Sequence, residues 1–180
     1  MNKVKTPLVG FLAYSGTGKT TLLVKLISVL SAKGIRVGMI KHAHHTFDID
    51  QPGKDSYILR KAGACEMLIG SASRWALMVD AEKDQEFSLQ DHIRRMDQDN
   101  LDLILVEGYK LEAIPKIELI RPSLGNDLFF PNDKNVIAVA TDDTLPVATN
   151  LPILDINNPD EIATFICEQI LENNSLRNQY

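Results

Sequence analysis

A short apolar run, a glycine-rich loop and a helical repeat follow one another without a break between residues 8 and 34, and that order leaves few folds open. Residues 8–12, LVGFL, are continuously apolar, as a strand covered on both faces must be. The loop AYSGTGKTT, residues 13–21, has phosphate-loop spacing: Gly18, Lys19 and Thr20 fit strictly, and Ala13 stands where the first glycine is usual. Leu22, Leu23, Leu26, Ile27 and Leu30 then recur at helical spacing up to Gly34, a helix stop. In such a loop the backbone N–H groups freed by Gly16 and Gly18 point inward at a polyphosphate. Lys19 reaches the β and γ oxygens and the Thr20 hydroxyl holds Mg²⁺. The helix start adds the positive end of its dipole. Ala13 is tolerated if the backbone there keeps a negative φ.

Downstream, IRVGMI (35–40) reads as a second buried strand, which makes one parallel βαβ unit. The following stretch, KHAHHTFDIDQPGKDSYILRKAGA, starts polar and is helical from about 54 to 62. EMLIG and RWALMV are neighbouring strands in an antiparallel excursion. Ser88, with Asp91 three residues on, caps a helix to about residue 97. LILV (103–106), PKIELIRP and VIAVATDD carry three further strands. Asn158, Pro159 and Glu161 announce a terminal helix to about residue 171, beyond which the tail frays. The expected architecture is α/β: a three-layer fold of the phosphate-loop NTPase type, mostly parallel, with helices on both faces. At 180 residues it is expected to form one domain, 1–180.

A net charge of −5 argues against a dedicated nucleic-acid binder. Cys65 and Cys167 lack any CxxC partner and are expected to be buried free thiols. No apolar stretch approaches the roughly 20 residues that cross a bilayer, and the apolar run after Lys3 and Lys5 leads straight into the loop. A cytoplasmic protein is expected.

Four groups of residues carry candidate chemistry. The loop contributes Ser15, Gly16, Thr17, Gly18, Lys19, Thr20 and Thr21. Glu107, directly after LILV, is placed like the carboxylate that serves Mg²⁺ from a neighbouring strand. KHAHHTFDID, residues 41–50, leaves the second strand at the carboxyl edge of the sheet, where ligands of open α/β sheets bind. Within it Lys41, Asp48 and Asp50 suit work near the γ-phosphate, whereas His42, His44 and His45 fit metal, phosphate, partner or plain surface roles. Base recognition is faint: NKxD is absent, and in ATDD a carboxylate such as Asp142 can accept from the guanine N1–H and amine, or merely belong to a turn.

SGTGKTTL, the histidine stretch, VEGYK and PKIELIRP together resemble the molybdopterin-guanine dinucleotide biosynthesis adapter (MobB) family, from about residue 8 to the final helix. That resemblance implies a homodimer formed partly through the β excursion, GTP binding with weak intrinsic hydrolysis, and Lys19 and Glu107 as the groups nearest any chemistry. It also implies Thr20 and Glu107 as Mg²⁺ ligands, a guanylyltransferase that joins GMP to the molybdenum-bearing pterin as partner, and molybdopterin as a further candidate partner. Two other readings stay open on the residues. One is a small-molecule kinase or ligase of the dethiobiotin synthetase type, against which stands the lack of an arginine-rich lid. The other is a metal-delivery GTPase using His42, His44 and His45. Arg60, Arg74 and Arg121 are the arginines that folding can bring to the phosphates.

Overall fold

The computed structural model describes residues 5–43, 47–81 and 86–172. They form two compact units, Met1–His42 with Leu89–Tyr180, and Ala43–Ser88. The first holds a six-stranded sheet in the order β2-β5-β1-β6-β7-β8. Its strands are β1 (Leu8–Leu12), β2 (Val37–Lys41), β5 (Leu103–Glu107), β6 (Lys116–Ile120), β7 (Val136–Thr141) and β8 (Ile153–Asp155). Every pairing in it is parallel. The mostly parallel three-layer expectation is met. β8 escaped the sequence reading because three residues with one buried side chain carry no periodic signal.

Helix α1 (Lys19–Ala32) buries Leu22, Leu23, Leu26 and Leu30 against one face of the sheet. Helix α4 (Pro159–Ile166) joins it through Ile162, Ala163 and Ile166. The Asn158 side chain accepts from the Glu161 N–H at 3.3 Å, and Pro159 follows it, as the cap residues predict. A π-helical stretch, Cys167–Glu172, continues α4. The opposite face is covered by α3 (Leu89–Arg95), whose Leu89 and Ile93 pack on Ile40, Ile104 and Val106. Gly34, at φ 80°, lets the Ile35 N–H return to the Leu30 carbonyl at 3.1 Å, so β2 starts two residues later than the apolar run suggests. Asp102 takes two bonds from the Arg36 guanidinium, which with the Arg36 N–H hold its carboxyl down to about 2. This clamp fixes β2 beside β5.

β6 buries two charged residues. Lys116 is 1% exposed and donates to the Lys110 carbonyl at 2.6 Å and to Asp133 at 2.7 Å. Glu118, also 1% exposed, accepts from the Phe129 and Phe130 N–H groups at 2.8 and 2.7 Å, and burial pushes its carboxyl up. These charges lie on the face away from Ile117 and Leu119 and staple two loops over the sheet. Glu118→Ala leaves two backbone donors without their acceptor and is expected to cost about 2 kcal/mol of unfolding free energy. The check is the shift in the urea midpoint; an unchanged midpoint would remove the staple from the account.

The second unit contains α2 (Asp55–Lys61) and an antiparallel hairpin of β3 (Glu66–Gly70) and β4 (Trp75–Val79), as the two apolar runs predict. Cys65 is exposed and Cys167 half-buried, which corrects the expectation of two buried thiols. Cys65 sits in the turn before β3, a strand with little core beneath it. No described helix is long and apolar enough to cross a membrane. His44, His45 and residues 173–180, on which the histidine cluster and the expected frayed tail fall, lie outside the described residues.

Candidate functional site

The phosphate loop leaves β1 at the carboxyl edge of the sheet and turns into α1 through Gly16 and Gly18, at φ 83° and 92°. A Cβ on Gly16 would meet nothing within 4 Å, so the glycine is there for its backbone angle rather than for want of room. Ser15, Thr20 and Thr21 are exposed at this opening. Thr17 is different: it is 2% exposed and its hydroxyl donates to the Tyr14 carbonyl at 2.9 Å, so its side chain shapes the loop from within. Ala13 is 5% exposed and belongs to the core, where a methyl group is an asset.

Strand order brings the second candidate group in. β5 lies between β1 and β2, with Glu107 in register with Phe11 on one side and Lys41 on the other. The Glu107 carboxylate consequently meets Lys19 at 3.2 Å and Lys41 at 3.5 Å. The loop lysine is thus stored beside the carboxylate expected to serve the metal. Glu107 is also fixed through its backbone, whose carbonyl accepts from the His42 N–H at 2.9 Å. The His42 ring lies 5.0 Å from Tyr109, whose hydroxyl is 2.6 Å from His92 Nδ1. Burial pushes the Tyr109 hydroxyl up.

On the other side of β1, Arg121, one of the three arginines that folding can bring to the phosphates, follows β6. Its Nε donates to the Thr17 carbonyl at 2.9 Å, one Nη donates to Asp142, and the other donates to Asn157 Oδ1 at 3.2 Å. The legible signal was its position, directly after a buried strand of a phosphate-loop sheet; Asn157 carried none. Tyr14, in the loop, stacks on Phe129 at 5.0 Å, with the Lys110 ammonium 5.3 Å from the Tyr14 ring.

Asp48 and Asp50 belong to the second unit. There Arg60, with its side chain 6% exposed, donates to Asp50 at 2.7 Å, to Asp48 at 2.5 Å and to Asp80 at 3.3 Å. The guanidinium holds the Asp50 carboxyl below the usual range, and the carboxylates hold Arg60 charged. Both aspartates are therefore tied to α2, and Arg60 is committed to them. Among the described residues no group of three or more His, Cys, Asp or Glu is placed to hold a metal ion.

Comparison with known proteins follows the same outline. The family model for molybdopterin guanine dinucleotide synthesis protein B (MobB) matches residues 8–142. The molybdopterin-guanine dinucleotide biosynthesis adapter protein of Escherichia coli (strain K12) is 50% identical over 175 residues, covering 96% of this chain and 98% of that protein. The one from Haemophilus influenzae is 44% identical, covering 89% of this chain and 87% of that one. The crystal structure of Bacillus subtilis MobB superposes with a TM-score of 0.70 at 23% identity, over 91% of this chain and 98% of that one.

Proposed function

The chain belongs to the MobB family, and from that premise we propose that this adapter of molybdopterin-guanine dinucleotide biosynthesis binds GTP with Mg²⁺ at residues 13–21 and docks on the guanylyltransferase. The observation that carries the reading is the Lys19–Glu107 pair at 3.2 Å beside the glycine-rich loop. When a triphosphate enters, Lys19 exchanges the carboxylate for β and γ oxygens, and Glu107 is released toward the metal side. Thr20 and Glu107 are hard oxygen donors. They suit Mg²⁺, which takes one or two protein ligands and completes its shell with phosphate and water, so the lack of a three-residue metal cluster among the described residues fits. Held by Thr20 and Glu107, Mg²⁺ would supply positive charge to the phosphate oxygens.

Hydrolysis is expected to be slow. Arg121 is held by three acceptors and Arg60 by three carboxylates, which leaves neither aimed at a γ-phosphate. The adapter is placed in the cytoplasm. It acts there as a homodimer joined through the second unit, where Ile58, Leu59, Leu68 and Trp75 are all more than half exposed and need a partner surface.

The test is a titration with GTP and ATP, with and without the guanylyltransferase, on protein whose mass is followed by light scattering. Preference for GTP, association with that enzyme and a mass of two chains are expected. Equal affinity for both nucleotides without association, or rapid γ-phosphoryl transfer to a small metabolite, would overturn the reading.

A further inference from the structure

NKxD is missing from this chain, yet the far side of the phosphate loop is not bare. Arg121 bridges that loop to the ends of β7 and β8, where it grips Asp142 and Asn157. We propose that Asp142 and Asn157, aligned by Arg121, form the subsite that reads the Watson–Crick edge of guanine. The proposal deepens the GTP reading and rests on it.

Placement comes first. In the sheet order, Glu107 flanks the loop on the β5 side, whereas Asp142 and Asn157 lie at the strand ends on the opposite side. A nucleotide gripped by the loop then lies across the carboxyl edge, with its metal-bearing end toward β5 and its base toward β7. The step from β1 to β7 is two strand spacings, roughly 10 Å. Asp142 and Asn157 are both exposed on this edge, so a base has access.

The donor and acceptor pattern comes second. An arginine offers only donors, so Asn157 must present Oδ1 to it, and the Asn157 amide nitrogen is left as a donor. Asp142 gives one oxygen to Arg121 and keeps the other as an acceptor. Among the described residues neither of these remaining atoms has a protein partner. With the Asp142 oxygen set against position 1 and the Asn157 amide against position 6, the pair complements guanine, whose N1–H and amine donate and whose O6 accepts. In that order it opposes adenine, which turns a bare N1 toward the carboxylate and an amino group toward the amide. The Asn157 N–H donates to Asp155 at 2.7 Å, which fixes its backbone, and Arg121 fixes its amide. Arg121 is thus a positioning residue: its contact with the Thr17 carbonyl ties the base reader to the phosphate grip.

The experiment measures dissociation constants of the full chain with Mg²⁺ for GTP, inosine triphosphate, xanthosine triphosphate and ATP. Wild type is expected to prefer GTP over inosine triphosphate by about tenfold, since only the guanine amine is missing. Asp142→Asn turns an acceptor into a donor. It is expected to weaken GTP at least tenfold while strengthening xanthosine triphosphate, whose 2-carbonyl accepts. Asn157→Ala should weaken GTP about tenfold and leave ATP unchanged. Asp143→Asn is the control, because that carboxylate accepts from the Thr144 N–H and does not touch Arg121. If wild type prefers GTP and Asp142→Asn leaves the ratio of GTP to xanthosine triphosphate unaltered, the subsite is wrong while GTP binding stands. If wild type binds no guanine nucleotide, the parent reading fails and the subsite with it.

Discussion

Lys19→Ala is expected to weaken GTP binding about a hundredfold, equivalent to about 2.8 kcal/mol, the range of hydrogen bonds to charged groups. The Lys19 ammonium is the positive side chain that belongs to the phosphate loop itself, and it is 20% exposed beside Glu107. Removing it costs the folded chain little, because Glu107 keeps Lys41 at 3.5 Å. Binding and stability therefore separate: a fluorescent-nucleotide titration should show the loss while thermal unfolding stays close to wild type. Affinity within threefold of wild type would mean that the loop grips through its backbone alone, and the stored ion pair would lose its assigned purpose.

Gly108→Ala is expected to cost about 3 kcal/mol of stability, adding strain at a positive φ to an overpacked contact. Gly108 has φ 98°, and a Cβ there would fall 2.8 Å from the His42 Cβ and 3.1 Å from the His42 carbonyl oxygen. That carbonyl cannot rotate away like the end of a side chain. Relief would move β2 or the residue after Glu107, so GTP affinity should fall along with stability. Gly125→Ala calibrates the measurement: at φ 63° with nothing within 4 Å it carries backbone strain alone, about 1 kcal/mol. If urea unfolding shows Gly108→Ala to be no worse than Gly125→Ala, the close approach of the two strand ends does not matter for stability.

Much of the fold could be read from local pattern. The uninterrupted apolar runs of β1, β5 and β7 marked a buried parallel sheet, and the cap at Asn158 with Pro159 marked α4. Where local chemistry was silent or ambiguous, the reading was incomplete. β8 was too short to show a period, and Cys65 was assigned to a core that its unit does not supply there. Lys116 and Glu118 sat in a stretch legible as a strand, but nothing in the spacing said that both charges are buried and satisfied by loops that return to them. Asp48 and Asp50 were read by their nearness in sequence to the second strand, and nothing in the spacing said that both pair with Arg60.

By itself the sequence determined the strand, glycine-rich loop and helix of residues 8–32. A loop of this kind is a contiguous segment that depends on backbone angles and one helix start, so the pattern behind the proposed grip is written locally. The place of Glu107 at the end of a buried strand was legible for a similar reason. The tertiary structure decided the pairings. Glu107 reaches Lys19 only because β5 inserts between β1 and β2, and periodicity carries no information about strand order. Arg121, Asp142 and Asn157 come from three different strand ends, and a guanidinium spans them only after β6, β7 and β8 have stacked in parallel.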